Sequence, residues 1–170
     1  MKAVARTVEP AEREARFDHI RPHYLEALTM VERLHRRLLD VIKDEFDRRG
    51  RADINSVQAL LLYNIGDKEL TAGELRTRGY YLGSNVSYNL KKLVESGYIH
   101  HERSDVDRRS VQVSLTEKGS EIRDLVAKLF ERHLESIEAV GNVTSQDFED
   151  LNVCLRRLER FWLDQVRYRL

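Results

Sequence analysis

The feature that most narrows the fold is a change of hydrophobic period at Gly97 and a second change at Thr116. Before Gly97, apolar residues recur at three- and four-residue steps, the spacing of one helix face. Between the two points the period falls to two. Tyr98-Ile99-His100-His101-Glu102-Arg103 and Ser110-Val111-Gln112-Val113-Ser114-Leu115 read as strands, joined by the charged stretch Ser104 to Arg109 as a hairpin tip. After Thr116 the helical spacing returns. The pattern predicts a mainly α chain with a single two-stranded hairpin.

The helices flanking the hairpin have readable ends. A long first helix is expected from about Arg21 to Arg49, with Pro22 in its first turn and Gly50 as its stop. Its stripe runs through Tyr24, Leu28, Val31, Leu34, Leu38, Val41 and Ile42. Such a stripe is too long for local partners to cover, so a second subunit is expected against it. A second helix is predicted over Ser56 to Ile65 with Asn55 as N-cap and Val57, Leu60, Leu61 and Ile65 facing inward. Thr71-Ala72-Gly73-Glu74 reads as a capping box opening a short helix to Arg78. Gly79 marks a turn, and a further helix follows from Asn85 to Ser96. Beyond the hairpin, Thr116-Glu117-Lys118-Gly119 opens a helix to about Val140. Thr144 or Ser145 caps a last one, amphipathic through Phe148, Leu151, Leu155, Leu158, Trp162 and Val166. Leu28, Leu151, Leu155, Leu158 and Trp162 are the expected dimer seam.

Two short helices with a glycine-containing connection form a helix-turn-helix signature, and the hairpin that follows makes it winged. The expected organisation is an arm over 1–20, a dimerisation helix over 21–52, a winged helix-turn-helix reading head over 53–118 and C-terminal dimerisation helices over 119–170. The major groove of B-DNA admits one helix, read through its outer face. Wound as a helix, Asn85 to Ser96 puts Val86, Leu90, Leu93 and Val94 toward the core. Ser84, Ser87, Tyr88 and Lys91 fall opposite, with Asn85 and Lys92 at the borders. Hydroxyls, an amide and lysines suit base edges and phosphates, and no carboxylate interrupts that face before Glu95. The hairpin adds Arg103, Arg108 and Arg109 beside Asp105 and Asp107. A turn has no structural need for consecutive arginines, whereas guanidinium groups suit a narrow minor groove or phosphates.

Composition excludes several rivals. The 170 residues carry 34% charged and 41% apolar side chains, with only two prolines and eight glycines. That balance favours long solvated helices over a β-sandwich. Formal net charge is zero, which weighs against non-specific polyanion binding by the whole molecule but leaves room for a local basic face. No apolar run approaches the ~18–20 residues of a membrane span. Met1 to Glu14 lacks the apolar stretch of a signal peptide. A lone cysteine, Cys154, excludes an internal disulfide framework and fits a reducing compartment, so a cytoplasmic location is expected. Cys154 is read as a buried structural residue, with an oxidant sensor as the alternative. No cofactor is expected. His19 and His23 have helical metal-pair spacing, but Pro22 lies between them. His100 and His101 point to opposite faces of one strand and make a poor joint ligand pair; they read as solvated strand residues, with a phosphate contact by one of them as the alternative. No nucleophile elbow, P-loop, dinucleotide fingerprint or H-E-x-x-H helix is present, so no enzyme is expected. A winged helix used only for protein contacts remains the alternative to DNA binding.

The segment Leu93-Val94-Glu95-Ser96-Gly97-Tyr98-Ile99, then Arg103 to Arg109, then Val113-Ser114-Leu115-Thr116-Glu117-Lys118-Gly119 resembles the MarR family of winged-helix regulators. The D-x-D-R-R tip and the L-T-x-K-G helix opening occur at the separation typical of that family, and the layout agrees over residues 21 to 170. The long arm and total length also resemble the LdtR-type cell-wall regulators within it. The resemblance implies a homodimer with interlocked terminal helices, binding double-stranded DNA. It further implies repression relieved by a small phenolic or aromatic effector or by an oxidant. On that pattern Asp107 and Arg109 are the wing's structural pair and minor-groove contact, with Arg108 able to exchange roles with Arg109. The aromatic turn Gly79-Tyr80-Tyr81-Leu82-Gly83 departs from the family pattern.

Overall fold

The computed structural model describes residues 17–67, 70, 71, 74, 83–103 and 111–168, with backbone alone at 71, 83–86, 103 and 111. The chain forms two compact units, Met1–Leu61 and Leu62–Leu170. The predicted arm lies mostly outside the described residues, as does the helix expected at 72–78 apart from Glu74, which is helical.

The first unit is dominated by α1, Arg21–Arg48. Pro22 sits in its first turn, where the missing N–H leaves no helical bond unmade. Gly50, at φ +67°, supplies the left-handed residue that ends the helix. Ile42 and Phe46 are buried near its C-terminal end. Glu45 is buried beside them, and the Arg49 guanidinium donates to its carboxylate at 2.7 Å. That pairing is what a buried carboxylate requires. The next helix, α2 (Ser56–Ile65), begins at a reciprocal cap. The Gln58 N–H donates to the Asn55 side chain at 2.9 Å while the Asn55 N–H donates to the Gln58 side chain at 3.2 Å. The unit boundary falls inside this helix.

The second unit continues with β1 (Leu70–Thr71), α3 (Gly83–Glu95), β2 (Ile99–Arg103), β3 (Val111–Leu115), α4 (Glu117–Ile137) and α5 (Ser145–Tyr168). The sheet has three strands in the order β1-β3-β2, all antiparallel. The two strands expected for the wing are β2 and β3, and the short β1 adds to their sheet: Leu70 pairs with Val113 and Thr71 with Gln112. Between β2 and β3 the register sets Ile99 opposite Leu115, His101 opposite Val113 and Arg103 opposite Val111. Leu62, Ile65, Leu70, Leu90, Leu93, Tyr98, Ile99, Val113, Ile122, Val126 and Leu129 are buried and form this unit's core. Tyr63 meets Phe130 of α4 edge-on at 5.0 Å, and Arg123 of α4 pairs with Asp67 after α2.

Most of α5 stays uncovered. None of its residues is buried in the single chain. Leu151, Leu155, Phe161, Trp162, Leu163 and Val166 are exposed, as are Tyr24, Leu25, Val31 and Leu34 on α1. The expected seam residues Leu28 and Leu158 are half-buried. Cys154, expected to be buried, is exposed in the single chain, like the residues of α5 on either side of it. His19 lies in the turn ahead of α1 and His23 within the helix. The described residues contain no cluster of three or more potential metal ligands. No described helix is long and apolar enough to cross a membrane.

Candidate nucleic-acid interface

The second unit presents α3 next to the hairpin, and a five-residue sequence holds the two together. Leu115-Thr116-Glu117-Lys118-Gly119 ends β3 and starts α4. The Thr116 hydroxyl accepts the Gly119 N–H at 3.1 Å, the N-cap of α4, and donates to the Gly97 carbonyl at 2.8 Å. Lys118 donates to the Ser96 carbonyl at 3.0 Å, and its ammonium stands 4.1 Å from the Tyr98 ring centroid. Carbonyls at the end of α3 are thus satisfied by side chains from the start of α4, where a cation is favoured at a helix C-terminus. Gly119 permits the approach, because a Cβ there would overlap the Tyr98 carbonyl. Gly97, at φ +72°, turns the chain from α3 into β2.

With one edge pinned, the outer face of α3 from Ser87 onward is exposed. Leu90 and Leu93 anchor it in the core. Ser87, Tyr88, Lys91 and Lys92 are exposed, Tyr88 to 62% of its area. Ser84 and Asn85 lie in the first turn, with side chains outside the described residues. Val94, expected inward, is 38% exposed. The helix rests on Leu90 and Leu93, so Val94 falls at the edge of the buried stripe rather than inside it. Arg103 ends β2 opposite Val111. Asp107, Arg108 and Arg109 lie outside the described residues.

Glu95, expected only as the last-turn boundary of the basic face, pairs with that face. Lys92 donates to its carboxylate at 2.9 Å, and Lys91 stands 3.9 Å away. The hydrogen bond and charge of Lys92 hold the Glu95 carboxyl below the usual carboxylate range. In return, the hydrogen bond and charge of Glu95 raise Lys92 above the ordinary lysine value. The i,i+4 and i,i+3 spacings were the available signal. His101 reaches the same edge of α3 from β2. It shares a concavity of about 430 Å³ with Ser87, Leu90, Lys91, Val94 and Glu95.

The family model described as MarR family matches residues 52–110, from ahead of α2 to the hairpin. The chain is 37% identical over 148 residues to the exopolysaccharide II synthesis transcriptional activator ExpG of Rhizobium meliloti (strain 1021), an alignment covering 85% of this chain and 74% of that protein. The chain belongs to the MarR family. As a MarR-family transcriptional regulator it also shares its fold with solved members of the group. It is similar to Streptococcus pneumoniae FabT, crystallised in complex with DNA, at TM-score 0.60 and 24% identity, covering 83% of this chain and 98% of that one. It is similar to Staphylococcus aureus MarR in complex with salicylate and kanamycin at TM-score 0.65 and 20% identity, covering 89% and 97%. The fold is therefore mainly α, a winged helix-turn-helix flanked by long N- and C-terminal helices.

Proposed function

We propose that this MarR-family protein binds double-stranded DNA sequence-specifically, as a homodimer on a pseudo-palindromic operator. The observation that carries this reading is the exposed Ser87, Tyr88 and Lys91 face of α3, held beside the hairpin by Thr116 and Lys118. Ser84, Asn85, Ser87, Tyr88, Lys91 and Lys92 meet the major groove. Arg103, Asp107, Arg108 and Arg109 serve the wing, where arginine suits the minor groove. The DNA-bound FabT structure supports the assignment.

Dimerisation is supported by the large apolar residues that α1 and α5 each leave exposed, because exposed apolar area along a helix marks an interaction surface. Leu28, Leu151, Leu155, Leu158 and Trp162 form the seam. Two reading heads about one duplex turn apart, ~34–36 Å, select half-sites about 10 bp apart. A small aromatic or phenolic effector regulates binding by its differential affinity for dimers of different head spacing, a view supported by the salicylate complex of S. aureus MarR. Repression follows where the operator overlaps a promoter. The name of ExpG favours a second reading, activation from an upstream operator.

Selection of bound duplexes from a random library tests the proposal. Enriched sequences are inverted repeats, and their affinity falls about a thousandfold or more between roughly 50 and 200 mM salt if six or more phosphates are neutralised. A flat salt response overturns it.

A further inference from the structure

We infer that His101 is an additional DNA-backbone contact, one that strengthens operator binding as pH falls. The inference rests on the DNA-binding reading above and extends it to a residue outside the α3 face and the wing tip.

Strand alternation separates the two adjacent histidines. His101 follows Ile99 on one face of β2, and it sits across from Val113; His100, across from Ser114, belongs to the other. Ile99 is buried, so its face turns toward the core, and at His101 that face emerges beside α3. There the imidazole lines the concavity formed with Ser87, Leu90, Lys91, Val94 and Glu95. His101 is exposed and has no hydrogen-bond or ionic partner among the described residues. A backbone phosphate positioned by Ser87 and Lys91 lies within the same concavity, and the imidazole supplies a donor toward it from the strand side.

The charges around it permit this. From α3 come Lys91 and Glu95; from β3 the facing residue is Val113, without charge. On its own strand, His100 and Glu102 alternate to the opposite face. Glu95 would otherwise compete for a charged imidazole, but Lys92 already engages its carboxylate at 2.9 Å.

A phosphate against the imidazole favours the protonated form, so the contact strengthens as pH falls through the range in which histidines take up a proton, by up to about tenfold per reading head between roughly pH 8 and 5.

The experiment measures affinity for a duplex enriched by the wild-type protein from a random library, against pH and salt. Wild type and His100→Gln are expected to tighten as pH falls. His101→Gln is expected to lose that component of the pH response. His101→Lys is expected to bind at pH 8 as wild type does at low pH. At low pH the salt slope of His101→Gln should be shallower by about one counterion per head. A His101→Gln protein that keeps the full pH response and salt slope overturns the inference and leaves DNA binding standing. A wild-type protein that enriches no duplex overturns both.

Discussion

The Thr116 hydroxyl donates to the Gly97 carbonyl at 2.8 Å while accepting the Gly119 N–H at 3.1 Å. One side chain thereby caps α4 and closes the end of α3, so the orientation of the proposed reading helix depends on a residue outside it. Thr116→Val keeps the shape and removes both bonds. Stability should fall by about 1–3 kcal/mol, the range for a lost cap plus one further hydrogen bond. Urea unfolding measures it; an unchanged midpoint at unchanged slope refutes the junction.

Gly119 offers a steric test of the same contact. Its missing side chain lets the first turn of α4 approach Tyr98, whose carbonyl an added Cβ would overlap. Gly119→Ala should cost about 1–3 kcal/mol, as overpacking against backbone does. Chemical denaturation of the variant gives the value, and wild-type stability would mean that α4 starts farther from β2.

Glu95 restrains the basic edge of α3 through Lys92 and, at 3.9 Å, Lys91. Its carboxyl is held below the usual range, so the pairing persists through neutral pH and is lost only as pH drops through that lowered value. Glu95→Gln should tighten duplex binding severalfold at low salt, with the gain shrinking as salt rises, because exposed charges are screened. Weaker binding by the variant at low salt would count against a basic reading face there.

Lys91 is 76% exposed along its side chain. Lys91→Ala should leave the thermal midpoint within about 1 °C of wild type, since surface changes are worth only tenths of a kcal/mol. Duplex affinity should drop, and the salt slope should flatten by about one per head. Unfolding of the variant would show that the face has been assigned the wrong way round.

The seam on α5 can be tested without DNA. Leu155 and Trp162 are both exposed in the single chain. Leu155→Glu places a charge in the proposed interface and should shift sedimentation toward the monomer while the helical circular dichroism stays. Trp162→Ala should act in the same direction, by loss of a large apolar contact worth about 3–5 kcal/mol when buried. Dimers of undiminished affinity in both variants would place the seam elsewhere.

Much of this architecture was legible because its punctuation is local. Asn55 with Gln58 and Thr116 with Gly119 lie within one turn of each other, as does Thr144, whose N–H donates to Asp147 at 2.8 Å. The structure settles the alternative at the last helix in favour of Thr144, which precedes Ser145, the first residue of α5. Less was legible where pairing is distant. β1 is two residues long, and only its partners on β3, more than forty positions later, make it a strand. Val94 was misplaced because a helical wheel gives angles but not the depth at which the helix sits. On the proposed DNA surface, Ser87, Tyr88 and Lys91 follow from the wheel, whereas the choice between His100 and His101 does not, since the neighbours of His101 belong to another element.

Taken alone, the order of residues determined the element types, their caps and turns, and the alternation that separates His100 from His101, because each depends on neighbours a few positions away. Tertiary packing decided the rest: a third strand beside β3, the emergence of Val94, the tie between α4 and the end of α3, and the meeting of His101 with Ser87 and Lys91. Those relationships join residues far apart in the chain, and periodicity carries no information about which distant surfaces come into contact.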